Sequence, residues 1–199
     1  MYPDLFELLF HPDTFFERKS REPANLLLPA IIVSIGSILN FFFSRIASQT
    51  LDNDYLVNFL WNIHLLPDSS ILILVLPFFA WFCFSGILFI TSRLLAGTGS
   101  FAVTFRNTGY GCLPLTFLSV TNILNGFFGY PPSYPSVIGH WFFVMAFLFW
   151  AGWIWSAAME KTHSISHSRA KIPSIAAILL YLSYNLFNFL AFYFLVNLM

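Results

Sequence analysis

The sequence predicts an all-α, polytopic integral membrane protein with five transmembrane helices, and short interfacial helices at the N-terminus and in the first external loop. Hydrophobic residues occupy 58% of the 199 positions and charged residues only 9%, and the mean hydropathy is +0.74. A soluble domain carries about a quarter charged residues. Five apolar runs approach the roughly 20 residues that a spanning helix needs. We therefore expect one membrane domain over residues 1–199.

Residues 1–25 precede the first span and predict two short helices lying in the cytoplasmic interface. Apolar residues recur at helical spacing within Leu5–Leu9, and Pro12 interrupts that pattern. Thr14 and Glu17 have the spacing of a capping box that opens the second helix. Both segments are too short to cross the bilayer and too apolar for a solvated loop, so an interfacial position is expected.

The five predicted spans cover residues 26–44, 71–92, 108–128, 137–159 and 174–198. One stripe of the first span predicts contact with other helices and consists of Val33, Ser37, Asn40 and Ser44. Ser85-Gly86 predicts a second close contact, and Pro173 predicts the first turn of the last helix. Tyr55–Leu66 is too short to cross and predicts an interfacial helix on the outer side.

The basic residues predict the orientation of the chain. With five spans, one side of the membrane holds eight of the nine basic residues, namely Arg18, Lys19, Arg21, Arg93, Arg106, Lys161, Arg169 and Lys171. Only Arg45 falls on the other side. Positive charge favours the cytoplasmic side, so the N-terminus is expected in the cytoplasm and the C-terminus outside. A sixth span at Tyr55–Leu66 would make the count nearly even.

The polar residues favour a non-enzymatic protein. No ionisable residue lies deep in any predicted span, whereas ion-coupled transporters and intramembrane hydrolases need such groups. His163 and His167 are four residues apart, but only Glu160 is near them, so Glu160–Lys171 is expected to be an exposed polar loop rather than a metal site. No nucleotide-binding or zinc-protease motif occurs. Zero net charge predicts no nucleic-acid partner, and no cofactor is expected.

The connection from Leu95 to Pro114 separates two strongly apolar runs and holds one set of candidate site residues. Gly97 and Gly99 predict positive φ angles that let the chain leave the second span tightly. Arg106 is expected at the level of the lipid headgroups. The candidate partner-binding or lipid-binding residues are Gly97, Gly99, Phe101, Arg106, Gly109, Tyr110 and Pro114. The same pattern also fits a connection between helices with no further role.

A second candidate set lies inside the predicted spans. These polar residues are Asn40, Asn122, Asn125, Tyr181, Asn185 and Asn188. They fit either a groove that admits water or a lipid headgroup, or ordinary hydrogen bonds between helices, each contributing about 0.6–2 kcal/mol. Gly152 and Ser156 form one pair of small residues at a spacing found in helix dimers, so a homo-oligomer is a further expectation.

Two short motifs resemble the Yip domain family of Ypt/Rab GTPase-interacting membrane proteins. Gly97-Thr-Gly-Ser-Phe101 followed by Arg106-x-x-Gly109-Tyr110-x-x-x-Pro114 is similar to the signature between that family's second and third spans. His11-Pro12-x-x-Phe15-Phe16 is similar to the opening of prokaryotic members. Eukaryotic members bind prenylated Rab GTPases in vesicle transport. Their Asp-Leu-Tyr-Gly-Pro motif is incomplete here, since only Asp4-Leu5 is present, so the compact prokaryotic form is the nearer likeness.

The resemblance implies a scaffold or partner-binding protein that acts in membrane organisation or trafficking, located in a prokaryotic cell membrane. The implied partners are membrane lipids and another membrane or peripheral protein. The alternative expectation is a passive conduit for lipids or small solutes, which would use the polar residues within the spans.

Overall fold

The computed structural model describes residues 2–50, 70–128 and 134–198. This part of the chain contains helices and no strand, which confirms the all-α class. The helices are α1 (Tyr2–Phe10), α2 (Pro12–Lys19), α3 (Leu27–Thr50), α4 (Ser70–Leu94), α5 (Phe101–Gly111), α6 (Leu113–Phe128), α7 (Tyr134–His163) and α8 (His167–Leu198). Packed pairs include α3 with α6, α7 with α8, and α4 with α3, α5 and α8.

Two helices in the described part of the chain are long and apolar enough to cross a membrane, Leu74–Leu94 and Phe142–His163. Leu27–Phe42 is apolar but shorter. Large apolar side chains cover the outside of both long helices; Phe79 is 61% exposed and Phe142 is 73% exposed. Such surfaces suit a hydrocarbon solvent. The number of five crossings stays a prediction, and Tyr55–Leu66 lies outside the described residues.

The helices run further than the predicted spans. α3 continues past the predicted end at residue 44, and α7 ends only at His163. The expected loop over Glu160–Lys171 shrinks to residues 164–166, so most of that prediction is wrong. Pro173 lies inside α8 rather than in its first turn. Because proline has no N–H, Pro173 cannot donate the helical hydrogen bond to the carbonyl of Arg169. Arg169 is exposed to solvent here.

α1 and α2 form the N-terminal hairpin. Its second helix starts at a different residue from the one that the predicted capping box implies. α2 starts at Pro12 with His11 as its N-cap residue, and proline is well suited to a first helical turn because it has no N–H to leave unpaired. Thr14 is therefore inside the helix, where its hydroxyl donates to the His11 carbonyl at 2.9 Å. The position of the second helix was predicted, whereas its cap was wrong.

A tightly packed core joins the hairpin to α4, α5 and α7. Its fully buried members include Leu8, Phe15, Phe16, Leu88 and Trp155. The first-span stripe lies towards other helices as predicted, since Val33 and Ser37 are buried. The predicted contact at Ser85-Gly86 is half correct: Ser85 is buried, but the position of a Gly86 side chain faces open space.

Glycine is required where α5 meets α7. A methyl group at Gly111 would overlap the indole ring of Trp155, which is fully buried. We expect Gly111→Ala to destabilise the protein by about 1–3 kcal/mol, because the core must move to admit the methyl group.

Gly86→Ala is the matched control, because it also lies in a helix but has no atom within 4 Å of the added methyl group. It should stabilise the protein by about 0.5–1 kcal/mol. Thermal unfolding in one detergent measures both variants. Equal midpoints for the two would contradict the close approach of Gly111 to α7.

Candidate functional site

The turn after α4 brings that helix into contact with the end of α7. Ala96, with φ of 66°, takes the left-handed conformation, and no described glycine has a positive φ. The prediction of positive φ at Gly97 and Gly99 is therefore wrong. A Cβ on Gly97 would lie 2.7 Å from the Ser92 carbonyl oxygen and 2.9 Å from Nδ1 of His163. Glycine is needed at this position because the two helices approach closely.

α5 carries a polar face that is buried inside the protein. Ser100 caps the helix, and its side chain accepts from the Val103 amide at 3.4 Å. The buried polar residues of α5 are Thr104, Arg106, Asn107 and Thr108. Buried polar groups are unfavourable unless they are hydrogen-bonded, so the partners of these side chains determine what α5 does.

Arg106 is 1% exposed and binds the chain that follows α2. Its Nη2 donates to the Lys19 carbonyl at 2.8 Å, and its Nη1 donates to the Glu22 and Pro23 carbonyls at 3.1 and 3.0 Å. Its Nε donates to Oδ1 of Asn107 at 2.9 Å. The expected depth of Arg106, at the level of the lipid headgroups, stays a prediction; its guanidinium meets backbone carbonyls inside the protein.

Burial lowers the pKa of Arg106 from its usual value, while Tyr110 and Glu22 act in the opposite direction. A guanidinium stays protonated in proteins under all ordinary conditions. The side chain is therefore a buried cation whose charge is stabilised by oriented carbonyl dipoles. Removing it would take a donor from the Glu22 and Pro23 carbonyls, while the Lys19 carbonyl would keep the Glu22 amide.

The end of α7 binds α5 and the turn before it through three hydrogen bonds. Asn107 Nδ2 donates to Oγ1 of Thr162 at 2.7 Å, and the Thr98 amide donates to the His163 carbonyl at 3.1 Å. Oγ1 of Thr104 lies 2.9 Å from Nε2 of His163. The Thr104 hydroxyl also donates to the Ser100 carbonyl at 2.9 Å, so His163 is the donor in the shared bond.

His163 is fully buried, so the expectation that it belongs to an exposed loop is wrong. His167 is exposed instead, and its Nδ1 lies 2.8 Å from Oε2 of Glu160. The two histidines therefore lie in different environments, although they are four residues apart in sequence. No group of three ligand-type side chains occurs in the described part of the chain.

Aromatic side chains complete the same junction. Phe15 of α2 meets Tyr110 edge-on, with ring centroids 5.1 Å apart. Trp81 stacks on Phe105 at 4.1 Å and donates its Nε1 hydrogen to the Phe105 carbonyl at 2.8 Å. Trp155 likewise donates to the Thr108 carbonyl at 3.1 Å. We call the junction of residues 19–23, residues 97–111 and residues 162–163 the clasp.

Most of the seven candidate residues in the connection from Leu95 to Pro114 are buried inside the protein. Arg106, Gly109, Tyr110 and Pro114 are buried, as is Gly97. Among the seven candidates, Phe101 is the one classed as exposed, at 37%. Gly109 and Gly111 permit close packing on either side of Tyr110, since a Cβ at either position would overlap a neighbouring side chain. Direct contact between the buried candidates and a partner stays a prediction. In the structure these residues position the segments of the clasp against one another.

Sequence reasoning missed Asn107, Thr162, His163 and Trp81 as members of this site. One signal was available for Asn107: it lies between Thr104 and Thr108 in a short segment flanked by apolar runs, where a polar side chain needs an internal partner. The partners on α7 had no comparable signal, because they lie more than fifty residues away.

The second candidate set is brought together only in part. A cavity of about 430 Å³ lies between α3, α4, α6 and α8, and Asn40 and Tyr181 both line it. Thr116 and Ser119 add hydroxyl groups, while most of the other lining residues are apolar. The side chains of Asn122, Asn125, Asn185 and Asn188 lie outside the described part of the structure.

The small-residue pair predicted for a helix dimer packs within the chain. A Cβ on Gly152 would lie 2.6 Å from Cδ1 of Ile178 on α8, and Ser156 is 5% exposed. Gly152 is therefore used between α7 and α8, and Ser156 is buried within the chain. A homo-oligomer stays a prediction, with this motif no longer available to support it.

Comparisons with known proteins agree with the motif resemblance. The Yip1 domain matches residues 6–189, which include every described residue of the clasp. An uncharacterised protein of Methanocaldococcus jannaschii is 32% identical over 115 residues, covering 56% of this chain and 79% of that protein. No solved structure matches the chain.

The bond between Asn107 and Thr162 offers a test of the clasp. Thr162→Val keeps the shape of the side chain but removes the acceptor, which leaves the Nδ2 of a fully buried asparagine unpaired. We expect a loss of about 1–3 kcal/mol in unfolding free energy.

Thr14→Val is the control, because its hydroxyl bond to His11 is exposed; its effect should stay within about 0.5 kcal/mol. Both variants are compared by thermal or denaturant unfolding in detergent. A Thr162→Val protein as stable as the control would show that the bond between α5 and α7 contributes nothing.

Proposed function

We propose that this chain, which belongs to the Yip1 domain family, is a non-enzymatic scaffold of membrane organisation. It binds a partner through the surface around the clasp. The partner is another membrane protein or a peripheral protein. The proposal includes five spans with this surface in the cytoplasm, in a prokaryotic cell membrane.

The observation that carries this proposal is the joining of three distant segments by the clasp. Arg106 binds residues 19–23, while Asn107 binds the end of α7. Since binding is weakened when loops must be ordered, a surface held by buried hydrogen bonds is well suited to recognition. The outer side of this region carries cations, and the exposed ones include Arg21, Arg93, Arg169 and Lys171.

These charges define the chemistry of the partner. Exposed guanidinium and ammonium groups favour an acidic protein segment and bring it to the surface at a higher rate. They also attract anionic lipid headgroups when they lie next to a bilayer. We propose that the cations orient the protein against the membrane and steer an acidic partner towards the same side.

The hydrogen bonds made by the buried α5 side chains support a non-enzymatic role, although Nδ1 of His163 has no partner in the described structure. A catalytic group needs a free donor or acceptor directed at a substrate. Instead, Thr104, Arg106 and Asn107 bind other parts of the chain. These three side chains are therefore committed to structure.

The cavity favours the scaffold over a conduit for polar molecules. Asn40, Thr116, Ser119 and Tyr181 share its walls with a larger number of apolar side chains, such as Leu76, Phe84 and Leu115. A lipid headgroup crossing the bilayer would need a more continuous polar path. Transbilayer movement of a fluorescent lipid in reconstituted vesicles, faster than in empty vesicles and slowed by Asn40→Leu, would restore the conduit as the better explanation.

Photocrosslinking in cells tests the scaffold proposal. A benzophenone amino acid replaces Thr98 or Ser168, both exposed near the clasp. Phe142 is the control position, because it is 73% exposed and lies at the far end of the Phe142–His163 helix.

We expect discrete protein adducts from positions 98 and 168, and lipid adducts alone from position 142. The Thr98 and Ser168 adducts should weaken when Arg169 and Lys171 are both changed to glutamate. The absence of protein adducts at both positions, or the same adducts at position 142, would contradict the proposal.

A further inference from the structure

The N-terminal hairpin has two chemically different outer faces. On α1, the exposed residues include Leu5, Phe6 and Phe10, at 36%, 61% and 51% exposure. Phe6 and Phe10 are one helical turn apart and in contact, with ring centroids 4.8 Å apart. The exposed residues of α2 are polar, namely Asp13, Thr14, Glu17 and Arg18.

The hairpin is fixed against the long apolar helix α7. Trp150 donates its Nε1 hydrogen to the Leu9 carbonyl at 3.0 Å, and the Phe10 ring lies 6.4 Å from the Trp150 ring. Leu8 of α1 and Phe16 of α2 are fully buried. α1 therefore cannot move away from α7 without breaking the core.

The position of Trp150 places α1 beside a helix that is long and apolar enough to cross a membrane. Trp150 belongs to Phe142–His163, one of the two described helices with the length and hydropathy of a membrane span. On the same helix Phe149 is 66% exposed and Trp153 is 45% exposed. The apolar face of α1 thus continues the apolar surface of α7.

The two carboxylates of α1 are both paired with one guanidinium, which leaves this group with one net negative charge. Arg18 of α2 lies 2.6 Å from Oδ1 of Asp4 and 2.7 Å from Oε2 of Glu7. Carboxylates at a membrane boundary are tolerated when they are paired. This triad leaves Leu5, Phe6 and Phe10 as the groups through which α1 meets its surroundings.

We infer that α1 is a fixed lipid-contacting helix, whose exposed apolar face lies among the acyl chains of one leaflet while the outer face of α2 stays in water. The occupant of this surface is the hydrocarbon part of ordinary membrane lipids. The hairpin therefore inserts one of its two helices into one leaflet. This insertion does not require a protein partner at the clasp.

Spin-label accessibility in reconstituted vesicles tests this inference. The native thiols, Cys83 and Cys112, are free and are changed to alanine. One label is then attached at Phe6→Cys or Phe10→Cys, with Asp13→Cys and Glu17→Cys as controls on the same hairpin. We expect oxygen to reach positions 6 and 10 several-fold better than a water-soluble nickel complex does, with the reverse at positions 13 and 17.

Two outcomes overturn the inference. Good access of the nickel complex to positions 6 and 10 would place α1 in water. Poor access of both reagents would indicate that another protein copy or partner covers the face.

A second measurement uses the unaltered chain, in case the cysteine variants fold poorly. Lipids with a photoactivatable group in the acyl chain should label the peptide from Tyr2 to Phe10 and leave the peptide from Pro12 to Arg21 unlabelled. Equal labelling of both peptides, or of neither, would contradict the assignment of α1 to the acyl chains.

Discussion

A buried arginine that contacts no carboxylate among the described residues is the constraint on which this structure depends. The Arg106 guanidinium can stay inside the protein only while the carbonyls of Lys19, Glu22 and Pro23 surround it, because an uncompensated buried charge is strongly unfavourable. The chain after α2 must therefore pass over α5. That path places the hairpin against α7 and brings Phe15 onto Tyr110.

The clasp also explains why polar residues cluster in a chain with so little charge. Helices in lipid gain little from burying apolar surface against one another, so close packing and hydrogen bonds between helices become important. Trp81 and Trp155 each donate one hydrogen bond to a carbonyl of α5. Asn107 of α5 donates one to Thr162 of α7. Glycines at 97 and 111 let the backbones approach closely enough for these bonds to form. The family match and the geometry thus concern the same part of the chain.

Periodicity and composition predicted the helices well, whereas they could not predict contacts between distant segments. The all-α class, the hairpin and the importance of residues 97–114 follow from apolar runs and glycine spacing. The burial of Arg106 and His163 does not, since both residues are ordinarily exposed and their partners lie far away in sequence. The left-handed residue after α4 was assigned to glycine on general grounds, but Ala96 takes it because Gly97 is needed beside His163.

Hydrogen exchange of the Arg106→Lys variant in detergent or nanodiscs tests the central claim most directly. Lysine keeps the charge, but its compact ammonium cannot reproduce the planar fork that reaches several carbonyls. The account predicts that amides of α2 and residues 20–23 exchange at least about tenfold faster, an opening cost lowered by about 1.4 kcal/mol, while the middle of α4 is unchanged. Wild-type exchange rates throughout the hairpin would show that Arg106 does not hold it in place.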